Sequence, residues 1–283
     1  MNSQLASTIR LLTTSVPVAI SGVFRLYIAF LFLGIAPQIY IYLAGFLVIY
    51  STYTFDRALE NEEDKINRKE LATSRKDIAV FVCIVSIIVS TILLYREGLT
   101  FMAFLPFVTG YVYSKGITFG KHKLKLKGNF GVKNLIVSFT WGIFIAGIAL
   151  HMAGDYSASI FVFPFFMMKS FINTVIWDFR DVKGDDAAGI KTLPIWLGEK
   201  KTRKLLQLMH ISLHFWIAAA MLYEYIISEI SILLVSSFAG IINTIYWTRP
   251  DCIHDSGIRR TIRNTLVNGE FMLAVVLKEF SDL

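Results

Sequence analysis

The chain has 283 residues, of which 55% are hydrophobic and 17% are charged, and its formal net charge is +7 at pH 7. Soluble globular domains carry about 25% charged residues, so this composition excludes an ordinary soluble enzyme. It predicts an all-α integral membrane protein with a single domain over residues 1–283. The net charge alone would suit nucleic-acid binding, but we expect no such partner, because the placement of Lys and Arg has a topological explanation.

Hydropathy predicts nine membrane spans, each close to the roughly 20 residues that cross a hydrocarbon core. Several are apolar all round rather than on one stripe, which disfavours a soluble helical bundle. Residues 1–15 come before them as a candidate amphipathic segment on the membrane surface. The predicted spans are 16–35, 38–56, 78–95, 99–114, 134–152, 158–178, 204–222, 226–246 and 261–280.

The loops between these spans alternate in length and charge. Those after the even-numbered spans are long and rich in Lys and Arg, whereas those after the odd-numbered spans are short and nearly free of both. Because positively charged loops remain in the cytoplasm, we expect the N-terminus and the four long loops to face the cytoplasm. The expected location is the cell membrane.

An acidic segment follows the second span, where the sequence reads YSTYTFDRALENEEDKINR. If the helix continues past the membrane, a period of 3.6 residues brings several oxygen ligands onto one face. These are Asp56, Glu60, Glu63 and Asn67, with Asp64 at the margin of the face.

A second acidic segment, DFRDVKGDDAAGIKTLP, follows the sixth span. Helical geometry places Asp178, Asp181 and Asp185 on one side, within about 60° of each other. Gly184 is expected to end the helix, which would leave Asp185 in a loop.

Both acidic segments come at helix C-termini, where the helix dipole disfavours anions, so a compensating cation is expected. Carboxylates with few other ligand types suit Mg²⁺, which completes its shell with water and substrate phosphate. The alternative is that both segments are solvated helix ends with salt bridges to Arg57, Arg180 or Lys183. Two such segments on the same predicted side of the membrane favour the metal site.

Residues 178–198, DFRDVKGDDAAGIKTLPIWLG, resemble the second aspartate motif of the UbiA superfamily of intramembrane prenyltransferases. The D-x-x-D-x-x-x-D core and the following G-x-K-T-L-P are specific when they occur together. The first segment is similar to the family's N-x-x-x-D-x-x-x-D motif, and Asp56 matches its first Asp. Thr52 stands where Asn is expected, and Glu60 stands for the second Asp. Glu63 and Asp64 are further acids that are able to replace it.

The resemblance implies nine helices around a central cavity, with the two acidic motifs at its cytoplasmic end. They would hold Mg²⁺ ions that bind an isoprenoid diphosphate, whose tail lies in a tunnel open to membrane lipids. The implied metal ligands are Asp56, Glu60, Glu63, Asp64, Asp178, Asp181 and Asp185, and Asp56, Glu60, Asp178, Asp181 and Asp185 are the candidate catalytic residues. The candidate substrate-binding residues are Thr52, Tyr53, Arg57, Asn67, Arg68, Tyr113, Ser114, Lys123, Lys125, Lys127, Asn173, Lys183 and Lys191.

The predicted reaction is Mg²⁺-dependent transfer of a prenyl group to a lipophilic acceptor, either an aromatic quinone precursor or a glycerol-phosphate ether lipid. A terpene cyclase of the same family is the alternative, kept open by Thr52 and Glu60. A cation transporter is less favoured, because transporters usually place charged sites near the midplane. Arg25 and Lys169 are predicted intramembrane cations, either functional or structurally paired.

Overall fold

The computed structural model describes residues 3–59, 69–115, 117–119, 122–124, 132–249 and 257–281. Almost all of them are helical. In chain order the helices are α1 (Ser3–Thr13), α2 (Val16–Phe32), α3 (Ile39–Ala58), α4 (Lys76–Tyr95), α5 (Thr100–Lys115), α6 (Val132–Ala153), α7 (Ser159–Ala187), α8 (Leu193–Leu197), α9 (Glu199–Leu222), α10 (Ile230–Trp247), α11 (Gly257–Asn268) and α12 (Glu270–Ser281). A 3₁₀ turn covers Lys69–Leu71, and strands β1 (Ile117–Phe119) and β2 (His122–Leu124) pair antiparallel.

Six helical segments of the described chain are long and apolar enough to cross a membrane. They are Ser3–Phe32, Lys76–Tyr95, Asn134–Ala153, Ser159–Ala187, Glu199–Leu222 and Ile230–Trp247, and Thr100–Val112 is a shorter apolar helix. Each of the first eight predicted spans overlaps one helix, whereas the ninth falls on both α11 and α12. The helical membrane architecture is therefore confirmed. The number of crossings and their orientation stay predictions.

Glycine lets neighbouring helices approach closely in this bundle. A Cβ atom at Gly22 on α2 would lie 2.0 Å from Ile49 Cδ1 on α3. One at Gly142 on α6 would lie 3.1 Å from the Cα of Met167 on α7. Apolar side chains gain little from leaving lipid, so close packing of small residues is a main source of helix association in membranes. These contacts fix α2 against α3 and α6 against α7, the helices that carry the acidic motifs and their neighbours.

Helix α4 has one face packed against the bundle and one face exposed at its outer surface. Its small polar side chains, including Cys83 and Ser90, are buried against the bundle, whereas Phe81, Ile88 and Ile92 are exposed. The Cys83 thiol donates to the carbonyl of Ser51 on α3 at 3.4 Å. An outer face of large apolar residues with small polar residues inside is typical of a helix that contacts lipid.

One local prediction is corrected by the structure. Gly184 does not end the sixth span, because α7 continues as a regular helix to Ala187 and Gly184 is buried within it. Burial of the surrounding turn outweighs the roughly 1 kcal/mol by which glycine disfavours a helix. Between α5 and α6 the chain forms a short antiparallel hairpin, in which Thr118 pairs with Lys123.

Candidate active site

Helices α2, α3, α5, α6, α7 and α11 surround a central cavity with two adjoining parts. The outer chamber has a volume of about 230 Å³ and contains the carboxylates of Asp56 and Asp181. The inner chamber, of about 50 Å³, contains Arg25. The residues that line both chambers, and so mark their junction, are Tyr53, Trp141, Thr174, Trp177 and Asn268.

Three of the predicted aspartates line the outer chamber. Asp56 reaches it from the last turn of α3, and Asp178 and Asp181 reach it from α7. Asp178 is only 1% exposed, and its Oδ2 atom accepts a hydrogen bond of 2.7 Å from Nδ2 of Asn134 on α6. A carboxylate buried in this way is held in one orientation, because an unsatisfied charge would be costly.

The guanidinium of Arg180 binds the carboxylate of Asp181, with Nε donating to Oδ1 and Nη2 donating to Oδ2, each at 2.5 Å. The same guanidinium lies over the ring of Trp177, 5.0 Å from its centroid, and the guanidinium of Arg263 lies 5.1 Å from that centroid. The acidic motif therefore has cationic side chains beside it. The guanidinium of Arg180 binds in the bidentate geometry that suits a carboxylate or a phosphate.

A buried serine orients Arg57 at the edge of the outer chamber. The hydroxyl of Ser15, at the junction of α1 and α2, accepts hydrogen bonds from Thr54 at 2.8 Å and from Arg57 Nη1 at 2.5 Å. Arg57 also donates to the carbonyl of Tyr53 at 3.2 Å. This cation is thus positioned by the turn before α2 as well as by its own helix.

Other predicted site residues have different outcomes. Thr52, Tyr53 and Arg57 line the outer chamber, and Asn173 lines the inner one. Asp185 is buried on α7 but lines neither chamber, and Lys183 and Lys191 are exposed and also line neither. The predicted residues outside the described part of the chain are Glu60, Glu63, Asp64, Asn67, Arg68, Lys125 and Lys127. Tyr113 and Ser114 lie in the last turn of α5 and Lys123 lies on β2, positions where the structure describes only the backbone.

Sequence reasoning missed several residues at the junction and around Asp178. Trp177 directly precedes the motif, and Thr174 comes one helical turn before Asp178, so helical periodicity was a usable signal for both. Asn134 and Asn268 come from other helices, and no local pattern marks them. They are found only when the helices are packed together.

Aromatic rings narrow the junction between the chambers. Tyr53 and Trp141 stack with ring centroids 5.5 Å apart and an interplanar angle of 8°. The edge of Trp141 packs against Phe144, with centroids 5.7 Å apart at 90°. Each ring therefore supports the next, and these rings give one side of the junction a rigid apolar surface that limits the access of water.

The inner chamber is lined mainly by apolar side chains but contains several buried polar groups. Nη1 of Arg25 donates to the hydroxyl of Ser170 at 2.8 Å. Within the described residues, Arg25 Nε, Ser21 Oγ and Asn173 Oδ1 are buried without a hydrogen-bond partner. Buried polar groups are normally satisfied, so several orphaned ones around one small chamber indicate a site for a polar ligand group.

The carboxylates of the outer chamber suit Mg²⁺, which needs few protein ligands, better than a metal ion that is coordinated by protein side chains alone. In the described part of the chain, no three acidic, His or Cys side chains are close enough to enclose a metal ion. Mg²⁺ commonly takes one or two carboxylates and fills its remaining positions with water and substrate phosphate. Two helices presenting carboxylates to one chamber provide such a partial shell.

The sequence model of the UbiA prenyltransferase family matches residues 16–268. The chain belongs to this family. The predicted resemblance is confirmed, and the match extends over all the helices that line the two chambers.

Solved structures share the UbiA fold. A UbiA homologue from Archaeoglobus fulgidus, bound to DMAPP and Mg²⁺, is 15% identical, with a TM-score of 0.64 over 95% of this chain and 99% of that chain. The apo structure of a UbiA homologue from Aeropyrum pernix K1 is 9% identical, with a TM-score of 0.65 over 93% of this chain and 98% of that chain. At these identities the likeness concerns the fold.

A digeranylgeranylglyceryl phosphate synthase from Natronomonas pharaonis is 34% identical over 77 residues. The match spans 27% of this chain and 27% of that relative. The similarity is therefore local and covers about a quarter of each chain.

Proposed function

We propose that the protein transfers a prenyl group from an isoprenoid diphosphate to a lipophilic acceptor within the membrane, in a reaction that depends on Mg²⁺. The observation that carries this proposal is the convergence of Asp56 from α3 with Asp178 and Asp181 from α7 on one chamber. Membership of the UbiA family and a UbiA homologue bound to DMAPP and Mg²⁺ support it.

In this proposal the carboxylates of Asp56 and Asp181 hold the metal, and Asp178 orients the α7 motif through Asn134. Asp185, one turn after Asp181 on the same helix, is a further proposed ligand. When bound, Mg²⁺ supplies Lewis-acid stabilisation of the departing diphosphate. Arg57 and Arg180 add fixed positive charge at the same chamber, where negative charge develops during the reaction. Glu60, Glu63 and Asp64 are proposed as further metal ligands, and Lys123, Lys125 and Lys127 are proposed to contact the diphosphate.

The bond between the allylic carbon and the diphosphate oxygen breaks, and the electron pair leaves with diphosphate. The acceptor's nucleophile then forms a bond to the allylic carbon and gives up one proton. Water would compete for the same carbon, so the stacked rings of Tyr53 and Trp141 serve to exclude it. Their position at the junction also suits stabilisation of a carbocation by aromatic faces, worth about 0.5–2 kcal/mol per pair.

The inner chamber indicates an acceptor with an anionic head. Its buried guanidinium, from Arg25, and its orphaned polar atoms would match a phosphate or a carboxylate. A glycerol-phosphate ether lipid is the first candidate, because the local relative from Natronomonas pharaonis is a digeranylgeranylglyceryl phosphate synthase. An aromatic quinone precursor with a carboxylate is the second. A terpene cyclase would not need an anion site beyond its diphosphate site.

The proposed topology follows the distribution of basic residues: nine crossings, with the N-terminus and the outer chamber on the cytoplasmic side of the cell membrane. The outer chamber is lined by Arg57 near the end of α3, by Arg180 on α7 and by Glu70 in the 3₁₀ turn of the first long basic loop. Cytoplasmic diphosphates would reach it directly, and the prenyl tail would extend into the bilayer.

The test is to incubate the purified protein in vesicles with Mg²⁺ and labelled prenyl diphosphates of several lengths, with and without a total lipid extract. A labelled lipid that forms only with the extract supports transfer. A labelled hydrocarbon that forms without any acceptor would show a cyclase instead. If diphosphate is not released from any substrate, the proposal is wrong.

Replacing Arg25 with Gln should weaken acceptor binding while leaving the binding of prenyl diphosphate nearly unchanged. Hydrogen bonds to charged groups contribute about 1.5–3 kcal/mol, so the KM for an anionic acceptor should rise by about 10- to 100-fold. Steady-state kinetics with each substrate varied in turn measures the effect. Arg10→Gln, at an exposed position on α1, is the matched control. An unchanged acceptor KM in the Arg25 variant would contradict an anion site in the inner chamber.

A further inference from the structure

The predicted ninth span is interrupted beside the junction of the two chambers. Helix α11 ends at Asn268 and helix α12 begins at Glu270, with Gly269 between them. The amide of Gly269 donates to the carbonyl of Thr265 at 2.7 Å, and a Cβ atom at this position would lie 2.3 Å from that oxygen. The interruption therefore requires glycine, because any side chain would collide with the backbone of the preceding turn.

Asn268 is the last residue of α11 and lines both chambers. The residue is only 5% exposed. Within the described ranges its side chain makes no hydrogen bond, so its amide is available to a ligand. An amide buried in a membrane bundle is costly unless it is satisfied, so a carboxamide that faces a cavity indicates a ligand.

The other side of the interruption is anchored by charge. Oε1 of Glu270 binds the ammonium group of Lys169 on α7 and accepts a hydrogen bond of 3.1 Å from the hydroxyl of Ser236 on α10. The side chain of Lys169 is 1% exposed and that of Glu270 is 13% exposed. Two residues after Asn268, the chain is thus tied to α7 by a buried ion pair and to α10 by a hydrogen bond.

A second contact holds the end of α11. The carbonyl of Leu266 belongs to the last turn, where carbonyls lack partners within the helix. It accepts a hydrogen bond of 3.1 Å from Nδ2 of Asn243 on α10. The short segment that carries Asn268 is therefore fixed on both sides, as expected for a side chain that must keep one position.

We infer that Asn268 is a further substrate-contacting residue, which orients the acceptor toward the allylic carbon, and that the Lys169–Glu270 ion pair is its positioning element. The inference rests on the proposed prenyl transfer. Asn268 lies at the junction, between the carboxylates of the outer chamber and Arg25 of the inner one. A side-chain amide at this place is able both to donate a hydrogen bond to, and to accept one from, the nucleophilic group of the acceptor that attacks the allylic carbon.

Misalignment of the acceptor has a measurable chemical consequence. The bond from carbon to the diphosphate oxygen still breaks, with the electron pair on diphosphate. Water then bonds to the allylic carbon and loses one proton, which gives the prenyl alcohol. The ratio of prenylated lipid to prenyl alcohol thus reports orientation separately from departure of the diphosphate.

The experiment uses the full-length protein in vesicles, with Mg²⁺, geranyl diphosphate labelled in its prenyl chain and a total lipid extract as acceptor. In Asn268→Ala, loss of a hydrogen bond should lower the ratio of lipid to alcohol by about tenfold, with diphosphate release changed by less than about threefold. Val267→Ala truncates a buried neighbour that lines neither chamber and should keep the wild-type ratio.

The anchor is tested with the double variant Lys169→Met with Glu270→Gln, which removes both charges and leaves neither buried alone. It should show a lowered ratio like that of Asn268→Ala. A wild-type ratio in Asn268→Ala, or an equal loss in Val267→Ala, would overturn the role of Asn268. A wild-type ratio in the double variant would overturn the role of the ion pair. A wild-type protein that releases no diphosphate would overturn the proposed function, and this inference with it.

Discussion

Asp56→Asn and Asp181→Asn should each lower Mg²⁺-dependent release of diphosphate by about a thousandfold or more. Each change keeps the size of the side chain and removes one negative charge from the outer chamber. Metal stabilisation of a departing group is worth several kcal/mol, and each 1.36 kcal/mol is a factor of ten in rate. Because the two residues come from α3 and α7, equal losses would show that both helices contribute to one site.

Release of labelled diphosphate in vesicles, measured at several Mg²⁺ concentrations, checks this prediction. Asp186→Asn is the matched control, because Asp186 is exposed on α7 and lines neither chamber. It should retain wild-type activity. Raising the Mg²⁺ concentration should recover part of the lost rate if a ligand has been weakened. Full activity in both Asp56→Asn and Asp181→Asn would show that these carboxylates do not form the metal site.

The ion pair between Arg180 and Asp181 affects how a metal ion binds to Asp181. Both carboxylate oxygens of Asp181 accept hydrogen bonds from Arg180. A metal ion and the guanidinium therefore compete for the same oxygens, and a diphosphate that accepts the guanidinium releases Asp181 for the metal. Metal and substrate should consequently bind together more tightly than either binds alone.

The sequence predicts the helices well and their local interruptions poorly. Spans such as 78–95 and 134–152 agree with α4 and α6 to within two residues, because long apolar segments have few alternatives in lipid. Gly184 and Gly269 are the instructive pair. The first is inside a continuous helix and the second separates two helices, although each follows a helical stretch. Packing against other helices determines whether the helix continues through a glycine or ends there. The periodicity of the sequence carries no information about that packing.

The candidate site divides in the same way. Asp56, Asp178 and Asp181 were predicted because acidic residues at helical spacing form a local pattern. Asn134, which hydrogen-bonds Asp178, is 44 residues away in the chain. Arg25 was noted as an intramembrane cation, but its contact with Ser170 crosses 145 residues. Such contacts depend on the packing of the bundle, so a single sequence indicates the residue and not its partner.

Glu270→Gln alone should destabilise the protein more than the double variant Lys169→Met with Glu270→Gln. The single change leaves the ammonium group of Lys169 buried without its countercharge. Breaking one side of a buried ion pair typically costs about 3–5 kcal/mol, which corresponds to a fall of roughly 10 °C in the unfolding midpoint for a chain of this size. The double change removes the uncompensated charge, so most of the lost stability should return.

Thermal unfolding of the three proteins in the same detergent, followed by loss of the monodisperse peak in size-exclusion chromatography, measures this order. Ser74→Ala, which removes a hydroxyl that donates to the carbonyl of Leu71 in a turn, is the control for nonspecific loss. Equal unfolding midpoints for the single and double variants would contradict the expected cost of burying the Lys169 ammonium group without its countercharge. Replacing a buried pair by apolar or neutral groups is often stabilising, so a double variant that is as stable as wild type would show that the pair is kept for another reason. The reason offered by the structure is geometric, since the pair fixes the helix interruption that brings Asn268 into the cavity.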